Sequence, residues 1–171
     1  MRNLYYIAIE GPIGVGKTSL ANLMAKELGA RLVLESFEEN PFLPDFYKDP
    51  ERYSFQTQLF FLLQRYRQQQ ELRQVDMFQK LLVTDYMFVK DRLFASLNLN
   101  EKEMSLYDTV ANMMERNVIH PDLVIFLQAD TETLMKNIAS RGREIEKNIS
   151  EDYIDALNQV YNEYFFRYQD T

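Results

Sequence analysis

Residues 11–18 have the types and the spacing of a loop that binds phosphate groups. They read GPIGVGKT, which fits the pattern GxxxxGK(S/T), and they lie between a strand-like and a helix-like segment. Glycines let backbone N–H groups approach a phosphate closely, while the lysine and the threonine of the motif suit the β- and γ-phosphates and Mg²⁺. A chance glycine-rich turn would not need both flanking segments. We therefore predict a nucleoside triphosphate site formed by Gly11, Gly14, Val15, Gly16, Lys17, Thr18 and Ser19.

Two carboxylates end predicted strands, at the sheet edge where ligands bind in parallel α/β folds. Glu35 ends the strand predicted at 31–35 and could accept the proton of a hydroxyl group that receives a phosphoryl group. Asp85 ends the strand predicted at 81–85 and could hold Mg²⁺ together with Thr18. The alternatives are a surface acid at a strand end for Glu35 and a turn-forming acid for Asp85.

Two arginines flank a glycine directly after a predicted helix. Arg141 and Arg143 could fold over a triphosphate and neutralise the charge that develops during phosphoryl transfer. A solvated basic helix end is the alternative, because cations are favoured at helix C-termini. Since the chain also carries a phosphate-binding loop, we expect a lid near residues 141–150.

The elements that must position these residues alternate between strands and helices. Short apolar segments predict four strands, at 4–10, 31–35, 81–85 and 122–128. Helical patterns occupy 18–28, 51–75, 102–118, 131–140 and 151–168, and prolines make 40–50 a loop or a broken helix. This alternation predicts an α/β fold, with a parallel sheet covered by helices on both faces, in a single domain of residues 1–171.

The composition excludes several classes of function. With 46% hydrophobic and 26% charged residues, the 171-residue chain is neither disordered nor fibrous. Its 19 basic and 26 acidic residues give a net charge of −7, which is unsuited to binding nucleic acid or an anionic membrane surface. The absence of cysteine and the single histidine, His120, argue against thiolate chemistry and histidine-rich metal sites. Because there is no long apolar run and no signal-peptide pattern, we expect a cytoplasmic protein.

The charge of the segment between strands two and three bears on the phosphoryl acceptor. Acidic residues outnumber basic ones between positions 35 and 83. A nucleoside monophosphate carries about two negative charges and would need a basic pocket, whereas a neutral nucleoside would not. The segment therefore favours a nucleoside kinase over a nucleoside monophosphate kinase.

The chain resembles the deoxynucleoside kinases, especially the bacterial deoxyadenosine/deoxyguanosine kinases. The resemblance covers residues 5–161, and its strongest parts are the phosphate loop, the segment 49–58 (DPERYSFQTQ) and the segment 141–146 (RGREIE). It implies a P-loop kinase fold, ATP and Mg²⁺ as cofactors, and phosphorylation of the 5′-hydroxyl of a deoxynucleoside for nucleotide salvage. It also implies a homodimer in which long helices such as 51–75 pack together.

The resemblance assigns roles to further residues. Glu35 takes the position of the family's general base, although Ser36 and Phe37 follow it where relatives have Pro-Val. The family's other substrate positions fall on six residues of this sequence. Gln58 and Phe94 would contact the base, Arg65 and Asp91 would form a pair that lines the base pocket, and Tyr47 and Glu146 would bind the 3′-hydroxyl. Such a pocket should favour deoxyadenosine, deoxyguanosine or deoxycytidine over thymidine, and the choice among the three stays open.

Three departures from the family bear on catalysis and fold. After strand three, Asp85-Tyr86-Met87 stands where relatives have Glu/Asp-Arg-Ser, so Arg92, Lys90 or a lid arginine would have to replace the missing arginine. Asn137 also stands where relatives often carry arginine, which predicts slow turnover. The family's fifth strand would begin where this sequence ends, so we expect four parallel strands. These departures keep open a second alternative, a nucleotide-binding regulatory module with weak catalysis.

Overall fold

Four parallel strands form the centre of the computed structural model, which describes residues 5–74 and 81–169. The strands are β1 (Tyr6–Glu10), β2 (Arg31–Val33), β3 (Leu82–Thr84) and β4 (Leu123–Phe126). Their order in the sheet is β2-β3-β1-β4, and every neighbouring pair is parallel. Within the described residues, the predicted sheet of four parallel strands is confirmed. The phosphate loop follows β1 and therefore lies near the middle of the sheet edge.

Seven α-helices surround the sheet in the described part of the chain. They are α1 (Lys17–Leu28), α2 (Leu43–Phe46), α3 (Pro50–Gln74), α4 (Lys90–Asn98), α5 (Glu101–Glu115), α6 (Thr131–Arg141) and α7 (Glu151–Phe166). Short 3₁₀ turns lie at Phe37–Glu39 and Glu144–Glu146. Helix α4 was not predicted, and the predicted ends of the first strand at residue 4 and of the long helix at residue 75 lie outside the described residues. Among the residues described, no helix is both long and apolar enough to cross a membrane.

The side chains of β1 alternate between the two faces of the sheet, and each face carries a separate core. Tyr6 and Ala8 belong to a cluster with Leu72 of α3, whereas Ile7 and Ile9 belong to a cluster with α1. Helix α1 buries Ala21 and Ala25. Leu23 and Leu28 of the same helix are about half exposed, so its small alanines rather than these leucines contact the sheet.

Helix α6 connects the sheet to the predicted lid. It begins at Asp130, whose carboxylate accepts a hydrogen bond from the backbone N–H of Thr133 at 2.7 Å. It ends at Gly142, whose left-handed conformation (φ +62°) reverses the chain direction. Arg141 and Arg143 therefore flank a turn that starts beside the phosphate loop.

Candidate active site

A cavity opens at the carboxyl ends of β1, β2 and β3, and most of the predicted site residues line it. The predicted residues in its wall are Gly14, Lys17, Thr18, Glu35, Tyr47, Gln58, Arg65, Asp85, Asp91, Phe94, Arg141, Arg143 and Glu146. The other predicted loop residues do not line it, and these are Gly11, Val15, Gly16 and Ser19. For these four residues, backbone N–H groups are the expected contacts with a phosphate.

The phosphate loop turns sharply because two of its glycines have conformations that other residues rarely adopt. Gly14 has φ +86° and Gly16 has φ +103°. A Cβ atom at Gly14 would lie 2.8 Å from the backbone oxygen of Leu134 in α6, so the loop packs closely against that helix. Lys17 Nζ donates to two carbonyl oxygens of its own loop, at 2.7 and 2.9 Å. Burial lowers the pKa of Lys17 to about 7.

Asp85 links the phosphate loop to the residue predicted to be the general base. Its Oδ2 accepts a hydrogen bond from the Thr18 hydroxyl at 2.6 Å, and its Oδ1 accepts one from the backbone N–H of Glu35 at 2.8 Å. Mg²⁺ in phosphoryl-transfer sites is commonly held by one or two such oxygen ligands and the substrate phosphates. Among the described residues, there is no group of three or more His, Cys, Asp or Glu side chains that could hold a metal ion. The Thr18 hydroxyl and the Asp85 carboxylate could supply oxygen ligands of the kind that Mg²⁺ takes.

The Glu35 carboxylate is held between two cations. Arg65 Nη2 donates to its Oε1 and Lys90 Nζ donates to its Oε2. Burial opposes ionisation, but Lys90 and Arg65 outweigh it and hold the pKa of the Glu35 carboxyl well below its ordinary value. The Glu35 carboxylate is therefore ionised, lines the cavity and is mostly buried, and its role as a general base stays a prediction.

Arg65 also pairs with Asp91, and this pair is buried. Arg65 is 3% exposed and Asp91 is 1% exposed, so they do not form a surface salt bridge. Burial raises the pKa of Asp91 to about 6, although the neighbouring guanidinium opposes this. Asp91 Oδ2, Arg65 Nε and Gln58 Oε1 have no hydrogen-bond partner within the protein. Three buried polar groups beside one cavity could together recognise the edge of a base.

The lid arginines meet Glu146 and an aromatic residue. Arg141 Nε donates to Glu146 at 2.8 Å, and Arg143 Nη1 lies 3.6 Å from the same carboxylate. The Arg143 guanidinium also lies over the Phe37 ring, 4.4 Å from its centroid, in a cation–π contact that was not predicted. Tyr47 lines the same end of the cavity, and burial raises the pKa of its hydroxyl.

Phe94 and Asn137 occupy different parts of the site. Phe94 lies in the cavity wall and packs edge-on against Tyr161, with ring centroids 6.3 Å apart. The amide of Asn137, in α6, donates to the backbone oxygen of Gly14 at 2.7 Å. Asn137 therefore fixes the phosphate loop against α6 where an arginine would have added positive charge.

Segment 85–87 differs from the family pattern, and the basic side chains near it lie in different places. Tyr86 points its hydroxyl to Gln68, to which it donates at 2.7 Å. Arg92 lies outside the cavity, where it pairs with Asp108 at 3.2 Å and with Glu115 at 3.6 Å. Of the three candidates named from the sequence, Lys90 is the one whose side chain reaches Glu35.

One buried acid at the site was missed. Glu10, at the end of β1, accepts hydrogen bonds from the backbone N–H groups of Gly11 at 3.1 Å and Met87 at 2.6 Å. Burial raises the pKa of this carboxyl. A glutamate that ends an otherwise apolar strand was the available signal, since such a position is rarely charged without a partner.

Comparisons with known proteins agree with this geometry. The family model described as "Deoxynucleoside kinase" matches residues 7–171. The chain is 34% identical to the deoxyguanosine kinase of Bacillus subtilis (strain 168), and the match covers 94% of this chain and 78% of that protein. It is also 34% identical to the deoxyadenosine/deoxycytidine kinase of the same organism, over 91% of this chain and 74% of that protein.

A solved structure has the same fold. The deoxyadenosine kinase from M. mycoides with bound dATP superposes with a TM-score of 0.85 at 28% sequence identity, and the match covers 96% of this chain and 85% of that chain. The predicted P-loop kinase fold is thereby confirmed. A family match over nearly the whole chain, together with relatives above 30% identity, carries the assignment: this protein belongs to the deoxynucleoside kinase family.

Proposed function

We propose that this protein transfers the γ-phosphoryl group of ATP to the 5′-hydroxyl of deoxyadenosine, deoxyguanosine or deoxycytidine, for nucleotide salvage. The observation that carries the proposal is the Asp85 carboxylate, which joins the phosphate-loop hydroxyl of Thr18 to the backbone of Glu35. A triphosphate on the loop and a hydroxyl group on Glu35 would thus be held by one connected set of residues. Positioning of this kind provides much of the rate acceleration in phosphoryl transfer.

Glu35 would act on the acceptor and the loop would act on the donor. The bond between the 5′-oxygen and the γ-phosphorus forms while the bond to the β-phosphate oxygen breaks, and the electron pair leaves with ADP. The hydroxyl proton goes to the Glu35 carboxylate. The low pKa of this carboxyl suits a loose transition state, in which the hydroxyl has lost little of its proton before the phosphoryl group transfers. Arg141 and Arg143 would neutralise charge on the phosphates.

The charges in the cavity support a neutral acceptor. The cations beside the acceptor end are already paired, Arg65 and Lys90 with Glu35 and the lid arginines with Glu146. A nucleoside monophosphate would bring about two further negative charges to this region. The geometry therefore favours a nucleoside over a monophosphate as the acceptor.

The base pocket supports the proposed range of nucleosides. Gln58, Arg65 and Asp91 offer both donors and acceptors from buried positions. A base that fails to pair with them would leave buried polar groups unsatisfied, which discriminates more strongly than a missing methyl group does. The relatives reported above are named for deoxyguanosine, deoxyadenosine and deoxycytidine, in agreement with this range.

The proposal includes Mg²⁺, a dimer and a cellular location. Thr18 and Asp85 would hold Mg²⁺, which when bound neutralises charge on the phosphates. Exposed apolar side chains on α3 and α5, among them Leu63, Leu106 and Met113, support a homodimer that buries them. We place the enzyme in the cytoplasm, where ATP and deoxynucleosides meet, as one domain whose lid is formed by residues 141–150.

A panel of acceptors tests the proposal. The purified protein is given ATP, Mg²⁺ and each of the four deoxynucleosides or their monophosphates, and the products are separated by chromatography. We expect monophosphates from at least one of deoxyadenosine, deoxyguanosine and deoxycytidine. Diphosphates as the main product would instead indicate a monophosphate kinase. ATP binding without any transfer in a single turnover would indicate a regulatory module.

The variant Glu35→Gln isolates the general base. It keeps the size and polarity of the side chain but removes the proton acceptor, so kcat should fall by about 10²–10⁴-fold. The KM for the nucleoside should change little. A raised KM with an unchanged kcat would show that Glu35 only binds substrate.

A further inference from the structure

Lys90 is a buried lysine at the start of α4 that the function proposed above does not use. It is 6% exposed, and its ammonium donates to Glu35 Oε2. The ammonium also lies over the Phe94 ring, with Nζ 5.8 Å from the ring centroid. A lysine is rarely buried to this extent without a specific partner. Its position inside the cavity wall therefore points to a role beyond packing.

The surroundings of Lys90 join the two halves of the cavity. On one side is Glu35, which would receive the nucleoside hydroxyl. Lys17 of the phosphate loop lines the same cavity, and the positive charges of the two lysines repel each other. The carboxylate of Glu10 lies near both ammonium groups and attracts them. The positive charges of the two lysines together favour a negatively charged group in the cavity that they line.

The other cations of the cavity do not occupy this position. Arg65 is engaged by the carboxylates of both Glu35 and Asp91. Arg141 and Arg143 pair with Glu146 in the lid. Among the described residues that line the cavity, Lys90 is thus a cation that contacts Glu35 and whose charge also acts on Lys17 of the phosphate loop.

We infer that Lys90 is a catalytic cation of the proposed transfer reaction, an inference that rests on the function proposed above. In the free protein its ammonium holds the carboxylate of Glu35. When the nucleoside hydroxyl takes its place on Glu35, the ammonium turns to the oxygens of the transferring phosphoryl group beside Lys17. Lys90 forms no covalent bond and keeps its proton throughout, while the hydroxyl proton goes to Glu35 and the electron pair leaves with ADP.

The lysine side chain is suited to this movement. Its ammonium is a compact charge on a flexible stem, with three donors that can be redirected by rotation. Because the contact with the phosphoryl group strengthens as charge develops, its loss should lower kcat more than it changes the KM for either substrate. Removal of one donor to a developing charge commonly costs about 10²–10³-fold in kcat.

Three variants test the inference. Lys90→Met keeps the length of the side chain without its charge, and Lys90→Arg keeps the charge. Arg92→Met removes a basic side chain from the same helix but outside the cavity, and serves as the matched control. Steady-state kinetics are measured with ATP and the best deoxynucleoside of the wild-type panel. Thermal unfolding of each variant is compared with that of the wild type.

We expect Lys90→Met to lower kcat by about 10²–10³-fold with less than about threefold change in the nucleoside KM. Lys90→Arg should recover at least tenfold of this loss, and Arg92→Met should keep the wild-type kcat. A kcat of Lys90→Met within threefold of the wild type would overturn the inference. So would a loss that appears in KM alone, a Lys90→Arg variant no more active than Lys90→Met, or an equal loss in Arg92→Met.

The design separates this inference from the proposed function. If the wild type phosphorylates no deoxynucleoside, the proposed function fails, and the inference fails with it. If the wild type is active and Lys90→Met is equally active, the role of Lys90 alone is refuted. Should Lys90→Met not fold, Lys90→Gln replaces it, because the amide retains a hydrogen-bond donor for Glu35.

Discussion

Replacing Arg65 by methionine should destabilise the folded protein strongly. The guanidinium is 3% exposed and lies between Asp91 and Glu35. After the replacement, Glu35 would still have Lys90, but Asp91, which is 1% exposed, would have no cation. Breaking a buried ion pair by removing one partner costs about 3–5 kcal/mol in the free energy of unfolding, because the other charge stays buried.

This magnitude distinguishes a buried pair from a surface pair. An exposed salt bridge contributes about 0–1 kcal/mol, so the two cases differ by several-fold. For a protein of 150–250 residues, 1 kcal/mol corresponds to about 2–4 °C in Tm, and Arg65→Met should therefore lower Tm by about 6–20 °C. A loss of this size is well outside the error of a thermal melt.

The assay combines urea unfolding with thermal unfolding of the wild type and four variants. Besides Arg65→Met, these are Asp91→Asn, the double variant with both changes, and Lys136→Met. Lys136 pairs with Glu132 one turn away, and both side chains are more than 70% exposed, so this control should unfold like the wild type. The double variant should be more stable than Arg65→Met alone, because it no longer buries an unpaired carboxylate.

The reasoning would be refuted if Arg65→Met unfolded within about 1 kcal/mol of the wild type, as expected for a surface pair. It would also be refuted if the effects of the two single changes simply added in the double variant. Additive effects would mean that Arg65 and Asp91 contribute independently, without the coupling that the buried contact implies.

Three further predictions concern ligands. Lys17→Ala should lower kcat by at least about 10²-fold, since the ammonium would no longer reach the triphosphate, while circular dichroism shows an intact fold; unchanged activity would contradict the kinase assignment of the loop. The ratio of kcat/KM for deoxyadenosine to that for thymidine should exceed one in the wild type and fall in Asp91→Ala; thymidine as the best substrate, or an unmoved ratio, would contradict the assigned base pocket. The KM for the nucleoside should rise as the pH falls through about 6, because the Asp91 carboxylate then gains a proton and loses its negative charge. In Asp91→Asn the KM should no longer depend on pH in this range. If the pH dependence persisted in that variant, another group would be responsible for it.

Local patterns were sufficient for the class of fold and for the donor half of the site. The strands are short apolar runs, and a glycine-rich motif between a strand and a helix is typical of a phosphate-binding loop, so β1, α1 and the loop follow directly from sequence. Helix α4 did not follow in this way. Its nine residues begin with three charged ones, Lys90, Asp91 and Arg92, so the sequence lacks a clear helical pattern of apolar residues at its start.

The acceptor half depends on contacts between residues far apart in the chain. Arg65 meets Asp91 because α3 packs on α4, and no periodicity within either helix encodes that contact. Arg143 meets Phe37 because the lid folds back over the turn after β2. That Lys90 rather than Arg92 reaches the cavity likewise depends on which face of α4 turns toward it. Side chains two positions apart on a helix point in very different directions.

The link made by Asp85 also bears on the order in which the protein folds. The residue bonds to partners 67 and 50 positions earlier in the chain, and β3, which it follows, lies between β1 and β2 in the sheet. The strand that precedes Glu35 therefore has no place to pair until β3 has entered the sheet. Contacts between such distant segments require closure of long loops and form slowly. The phosphate loop depends on late segments as well, because it packs on α6, which follows β3 in the chain, and, among the described strands, β1 pairs only with β3 and β4. Neither half of the site can therefore be complete before the central strands are in place.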